Sequence, residues 1–322
     1  MSEILLSRAT LWGGVFTTSD ATEVGVTRNE LRALVRAGDV THVGPRAYVL
    51  SAARLAATTP ERRHRLTTLA VLRSFGGRVA ASHHSALALH GLPFWRVDDT
   101  TIHVCRAAGR ASRVRGDLHI HESVPPGHLV TFRTSGALST DATLAVIGTA
   151  VVDGAEAGIV AADAALNRRR TTIEDLERTL AAMRHTPKLA AARKAVALAD
   201  PLCESVGETR SRLVLRALPG APPVRSQHEI RDGRGNRVAR VDFLVGDRVV
   251  VEFDGRVKYG MDGRRAEDDL WAEKRREDEL RALGYIVVRI VWAQLERPDL
   301  VAQRVLAALR QAELTVRTPT SH

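Results

Sequence analysis

The stretch Arg240–Lys258, R-V-D-F-L-V-G-D-R-V-V-V-E-F-D-G-R-V-K, constrains the fold of this chain more than any other. It reads as two strands joined by a tight turn at Gly246, Asp247 and Arg248. Side chains alternate faces along a strand, so a one-residue slip exchanges the faces. Pairing Asp242 with Glu252 also pairs Val241 with Phe253, Phe243 with Val251 and Val245 with Val249, and that face is wholly apolar. A two-residue Gly246-Asp247 turn would pair Val241 with Glu252 and mix the faces. A three-residue loop with a bulge is the better reading. The opposite face then carries Asp242 beside Glu252, with Asp254 one step along and Arg240 across from it. One such acid is ordinary solvated surface. Three on one face, beside Leu244 and Val250, repel each other unless a positive charge sits between them. A hard divalent cation held by oxygens supplies it.

The rest of the composition bears on the partner. A net charge of +10 and a pI near 10.6 point to an anionic partner, nucleic acid first. Cys105 and Cys203 have no metal spacing and suggest no disulfide framework, which fits a reducing cytoplasm. The start, M-S-E-I-L-L-S-R, lacks a signal-peptide pattern, and the longest apolar run, around Leu144–Val152, is too short to span a bilayer. No membrane partner is expected.

The length leads us to expect two or three domains. The reading is an α+β multidomain chain with three parts: residues 1–55, 56–200 and 201–322. In the first part Thr18, Ser19 and Asp20 cap a short helix, and Gly25-Val26 makes a turn. Thr27 and Glu30 form a capping box for a second helix whose buried stripe is Leu31, Leu34 and Val35. Arg28, Asn29, Arg32 and Arg36 remain for solvent or DNA, and Gly38 suits the helix end. Val40–Val43, Gly44-Pro45 and Arg46–Leu50 read as a hairpin. Helix, turn, helix and two-stranded wing is the order of a winged helix-turn-helix, with Arg28, Asn29 and Arg32 toward DNA and Arg46 near the wing.

The segments G-V-F-T-T-S-D-A, G-V-T-R-N-E-L-R-A-L-V-R-A-G-D-V and G-P-R-A-Y-V-L resemble the N-terminal winged-helix domain of AbiE-type antitoxins of type IV toxin–antitoxin systems. The resemblance covers about the first fifty residues and implies a DNA-binding regulator with a cognate toxin as a possible partner.

Residues 56–200 read as mostly helical, with helices over Glu61–Phe75, Ala155–Asn167, Thr172–Met183 and Lys188–Ala199. Ser82 is expected to cap a helix through S-H-H-S-A-L-A-L-H-G. Thr101–Cys105 and Leu118–His121 alternate like strands. His83, His84, His103, His119 and His121 find no acidic or cysteine partner at a convincing spacing, and they read as surface or packed residues rather than metal ligands.

Beyond Asp200-Pro201 the expected order is α-β-β-β-α-β-α, opening with a helix over Glu204–Leu218 that carries Glu204 and Glu208 on one face. The signatures E-S-V-G-E-T-R-S-R-L, R-V-D-F, V-V-E-F-D-G and E-K-R-R-E-D-E-L-R-A-L-G-Y-I-V-V-R resemble the PD-(D/E)XK nuclease superfamily. They are closest to the branch of very-short-patch repair endonucleases. The resemblance implies a restriction-endonuclease-like α/β domain that hydrolyses phosphodiester bonds with Mg²⁺. It places Glu208 at the first-helix acid, Asp242 and Glu252 at the metal-binding acids, and Asp254 at the superfamily's lysine. Lys258, or else Lys274, is then expected to supply the missing charge. Glu208 or Asp254 would orient the attacking water, and Arg275 and Arg276 would hold the phosphate backbone. A non-catalytic, antitoxin-like regulator is the other reading.

Overall fold

The computed structural model describes residues 2–183, 188–220, 222–255 and 263–317. The chain divides into two compact units, Met1–Ala199 and Asp200–His322.

The first unit opens with α1 (Glu3–Leu11), β1 (Val15–Thr17), α2 (Thr18–Glu23), α3 (Arg28–Ala37), β2 (Val40–Gly44) and β3 (Ala47–Leu50). The strands form an antiparallel sheet in the order β1-β3-β2. Both short helices start at reciprocal caps. Thr27 and Glu30 cap α3 as expected, whereas α2 is capped by Thr17 with Asp20, one residue earlier than the sequence suggested. Gly38 closes α3 at φ 79°, where a residue without a Cβ is favoured. Leu31 is buried beneath α3 among Leu5, Phe16 and Val40. Val35, expected in that stripe, is 36% exposed.

Next come α4 (Ser51–Ala56) and α5 (Pro60–Phe75). The region around residue 55 lies within this unit, because α5 packs on all three strands. Asp20 accepts two hydrogen bonds from Arg73 of α5, at 2.9 and 2.6 Å, and that guanidinium lies 3.9 Å over the Trp12 ring.

The following stretch is only partly helical. It holds β4 (Val79–Ala81), α6 (His83–Leu89), β5 (Ile102–Arg106), β6 (Arg113–Arg115), β7 (Leu118–His121), β8 (Leu129–Thr131) and β9 (Leu138–Thr140). The strands form a six-stranded sheet in the order β6-β7-β5-β4-β9-β8. Only β5 and β7 were legible as strands. The other four are three residues long, too short for an alternating pattern. Helices α7 (Ala142–Asp153), α8 (Ala155–Asn167), α9 (Ile173–Ala182) and α10 (Ala190–Ala197) complete the unit. The unbroken apolar face of α7 and the small residues of α8 allow close packing: a Cβ at Gly158 would lie 2.4 Å from that of Ala150.

The second unit runs α11 (Val206–Arg216), β10 (Val224–Arg231), β11 (Arg237–Val245), β12 (Val249–Asp254), α12 (Gly263–Ala282), β13 (Ile286–Val291), α13 (Trp292–Leu295) and α14 (Pro298–Arg317). Its sheet has the order β10-β11-β12-β13, antiparallel except for the parallel β12–β13 pair. One face packs Phe243, Val245, Val249 and Val251 against Leu215 of α11 and Val301 and Val305 of α14. The other packs Leu244 and Val250 against Leu280 of α12. The Val-Val-Val run of β12 is therefore covered on both faces.

The β11–β12 ladder keeps the register argued from side-chain alternation over three pairs, Phe243 with Val251, Leu244 with Val250 and Val245 with Val249, and the expected Asp242–Glu252 and Val241–Phe253 pairs lie beyond it. One detail differs. Val241, expected with Phe243, packs with Leu244, Val250 and Leu280. Two local features account for this. Gln227, facing Asp242 between the Ser226–Phe243 and His228–Val241 pairs, has φ 49°, a left-handed conformation. The Asp242 carboxylate also accepts the Phe253 backbone N–H at 2.8 Å. Together they interrupt the regular pleat at the acids.

Candidate functional site

Three carboxyls meet where β11, β12 and the start of α11 converge. Glu208 is placed by its own helix start. Ser205 is the cap, accepting the Glu208 N–H at 3.1 Å, and its hydroxyl donates to Glu208 Oε1 at 2.8 Å. The helix therefore begins at Val206 rather than at Glu204. Glu204 stays outside it, donating its N–H to Glu208 Oε2 at 3.0 Å and pairing its side chain with Arg240. The preceding Gly207 lets α11 approach β12. A Cβ there would lie 1.9 Å from Phe253 Cε1.

Gln227, which sequence reasoning did not single out, donates its amide to Glu208 Oε2 at 2.8 Å. Its left-handed backbone was not legible, because glutamine is not a residue that marks such a conformation.

Asp242 and Glu252 lie on the neighbouring strands. Arg276 of α12 donates to Glu252 Oε2 at 3.1 Å. The other oxygen, Oε1, is buried and has no hydrogen-bond partner among the described residues. An orphaned buried carboxylate oxygen is costly and uncommon. It is also what an acid awaiting a cation presents, so these residues fit the oxygen set that a hard divalent ion takes.

All three acids are held above the ordinary carboxylate range. For Glu208 burial is the main cause, with the Asp242 charge adding to it, while hydrogen bonds from Glu204, Ser205 and Gln227 oppose it. For Asp242 burial leads again, opposed by the Phe253 N–H and by Arg276. For Glu252 burial outweighs the attraction of Arg276, and Asp242 raises it further. Of the repulsion expected among Asp242, Glu252 and Asp254, the Asp242 charge raises Glu252, and it also raises Glu208 of α11.

Asp254 is half-buried at the end of β12. Lys258 lies outside the described residues. Lys274 is exposed, its ammonium 5.7 Å from the centroid of the Trp271 ring, which is itself 64% exposed. Arg275 is exposed, and Arg276, expected on phosphate, is paired with Glu252. Among the described residues Arg276 is the cation bonded directly to the acid cluster.

In the first unit Arg28, Asn29, Arg32 and Arg36 are all exposed on α3, with Arg32 donating to Asn29 at 3.3 Å. Arg46 is exposed between β2 and β3 at φ 60°. The same unit brings together histidines that their spacing left as packed residues. One ring nitrogen from each of His83, His103 and His121 lies within 4.8 Å of the others.

The chain is thus a mixed α/β protein of two units, with a desolvated acid cluster in the second. No protein-family model matches it. Two curated relatives from Mycobacterium tuberculosis are the uncharacterized proteins MT2308 of strain CDC 1551 / Oshkosh and Rv2248 of strain H37Rv. Each is 28% identical over 291 residues, covering 90% of this chain and 99% of the relative. The stretch left unmatched is shorter than either unit, so the similarity extends into both. Among the described residues no helix is long and apolar enough to cross a membrane.

Proposed function

We propose that this is a DNA-binding protein whose second unit is a Mg²⁺-dependent endodeoxyribonuclease of the PD-(D/E)XK type, with a winged helix-turn-helix at its N-terminus. The observation that carries the reading is the buried carboxyl cluster Glu208, Asp242 and Glu252, with Glu252 Oε1 unsatisfied among the described residues. The order α1-β1-α2-α3-β2-β3 and the exposed basic edge of α3 support the DNA-reading part. A cytoplasmic location goes with that partner.

Asp242 and Glu252 are the residues that would hold the ion. When bound, Mg²⁺ supplies Lewis-acid polarisation of the scissile phosphate and a more acidic water. The chain's own groups do the rest. Glu208 of the buried cluster, or else Asp254 at the end of β12, is the carboxyl that orients the attacking water. Glu208, raised by burial, is a better proton acceptor than an exposed glutamate. Water attacks phosphorus, the P–O bond to the leaving oxygen breaks, and solvent protonates that oxygen. Arg276 balances the acids before substrate arrives and is then available to the phosphate.

A second reading has its own support. Asp254 stands where the superfamily has its lysine, and Arg276 already occupies one oxygen of Glu252. Both features suit a non-catalytic, antitoxin-like DNA-binding regulator with a cognate toxin as partner. Plasmid nicking by the full chain in Mg²⁺ and in EDTA separates the two. Cleavage in Mg²⁺ alone supports the nuclease. DNA binding without cleavage in either supports the regulator.

A further inference from the structure

We propose that His83, His103 and His121 form a binding site for a zinc-class divalent cation in the first unit, independent of the carboxyl cluster. The three residues come from separate elements, α6, β5 and β7. Parallel pairing of β5 with β7 sets His103 opposite His119 and Cys105 opposite His121. His103 Nδ1 and His121 Nε2 are 2.8 Å apart. The His83 ring stacks on His121 at 4.1 Å between centroids and lies 5.0 Å from His103. Tetrahedral zinc with bonds of about 2.0–2.1 Å spaces its nitrogen ligands by about 3.3 Å. The one close pair, at 2.8 Å, must open slightly, and the three ligand nitrogens already lie within 4.8 Å of one another.

The surroundings fix the rings as a ligand set requires. Ser82 Oγ lies 3.0 Å from His83 Nδ1, which leaves Nε2 for a cation. Ser82 was expected to cap α6, but it makes no side-chain cap bond there. His83 itself has φ 54°, a strained backbone for a residue with a Cβ, and strain of this kind gathers at functional positions. Gly148 of α7 makes room for the ring: a Cβ there would lie 3.1 Å from His83 Cδ2. Ser85 Oγ accepts the His103 backbone N–H at 2.9 Å, which anchors the strand beneath that ring, and lies 2.8 Å from His64 Nε2. His84 packs edge-on to His103 at 4.6 Å, its own nitrogens held by Asp153 at 2.8 Å and the Thr101 carbonyl at 3.0 Å.

Imidazole binds metal in its neutral form. Burial is the main cause holding all three rings below the ordinary histidine value: His103 at about 2, His121 at about 4, and His83 well down. A neutral ring offers one nitrogen lone pair, and a cation here would displace the proton shared between His103 Nδ1 and His121 Nε2. Nitrogen ligands select zinc, cobalt or nickel over magnesium. His83 and His121 are partly exposed, so water can complete the fourth position of an open three-histidine site.

The test is titration of metal-stripped full-length protein with Zn²⁺ and with Co²⁺. The expected result is one high-affinity ion per chain and visible cobalt absorption bands of a four-coordinate site. His121→Gln should weaken binding by about 100-fold or more and abolish those bands. His103→Gln should do the same, and the His121 variant, at a partly exposed strand end, serves if the buried one does not fold. Asp242→Asn should leave the zinc affinity unchanged, which keeps this site distinct from the carboxyl cluster. Absence of a high-affinity ion in the wild type, or equal Zn²⁺ affinity in wild type and His121→Gln, overturns the proposal.

Discussion

Arg276 donates to one oxygen of Glu252 at 3.1 Å, while the other oxygen of that carboxylate is buried with no partner among the described residues. One guanidinium thus balances part of a cluster of three acids. Arg276→Met should lower the melting temperature of the second unit in EDTA, because Glu252 and Asp242 lose their compensating charge. A saturating divalent ion should restore part of the loss. Thermal melts of both proteins with and without Mg²⁺ test this, and an unchanged melting temperature in EDTA would show that the pair contributes nothing.

The raised acids also set a pH dependence. Glu208, Asp242 and Glu252 bind protons more tightly in the fold than in the unfolded chain. Their contribution is therefore fully present below the ordinary carboxylate range and is lost as pH rises through the raised values. In EDTA, replacing Asp242 by Asn and Glu252 by Gln should raise stability at about pH 7 more than at about pH 4. Denaturant unfolding of wild type and variant across that range measures it. A gain equal at both ends would contradict the raised values.

Gly207 sets the approach of α11 to β12. Gly207→Ala would bring a methyl group within 1.9 Å of the Phe253 ring, which packs edge-on against Trp292 at 5.0 Å. Relief requires moving the ring or the helix start. Overpacking of this kind costs about 1–3 kcal/mol or more. Because Glu208 is the next residue, any cleavage activity should fall with it. Chemical denaturation together with nicking rate checks both effects.

The register of β11 and β12 was legible because the period of two leaves one arrangement with an apolar face. Val241 escaped that logic because the left-handed Gln227 and the Asp242–Phe253 hydrogen bond interrupt the pleat. The position of Arg276 depends on how α12 docks, which periodicity does not specify, so its pairing with Glu252 was not foreseen. The histidine cluster was hidden for a related reason. Its members lie on a helix and two parallel strands far apart in sequence, and the short strands that complete that sheet carry no pattern of their own. Capping chemistry was more local and more legible, as Thr27, Glu30 and Gly38 show.

Under the proposed winged helix, Arg28→Ala and Arg32→Ala on the exposed side of α3 should each reduce DNA affinity. Removing an arginine that binds phosphate should weaken all sequences and lower the salt slope by about one, whereas removing one that reads a base should cost about 1–3 kcal/mol at one position only. Binding isotherms over a range of salt distinguish these. Unchanged affinity and slope in the double variant would assign α3 another role.

Asp20 and Arg73 join the small N-terminal sheet to α5 through a largely buried pair. Burial raises the Asp20 carboxyl, but hydrogen bonds from Arg73 and Thr17 outweigh it and hold the group below its ordinary value. The stabilisation is present above the unfolded value and is lost as pH falls through the folded one. Asp20→Asn should therefore destabilise the first unit at neutral pH and have little effect in strong acid, as read by thermal melts at both conditions.

The central claim is that Asp242 and Glu252 hold a catalytic divalent ion. The direct measurement is the nicking rate of Asp242→Asn beside wild type, in Mg²⁺, at DNA concentrations where both are equally bound. Asn keeps the shape and can still accept the Phe253 N–H, but it loses the ligand charge. The account predicts Mg²⁺-dependent nicking by wild type, with a loss of orders of magnitude in the variant while folding and DNA binding persist. Nicking at the same rate by both proteins, or none by wild type in Mg²⁺, would contradict it.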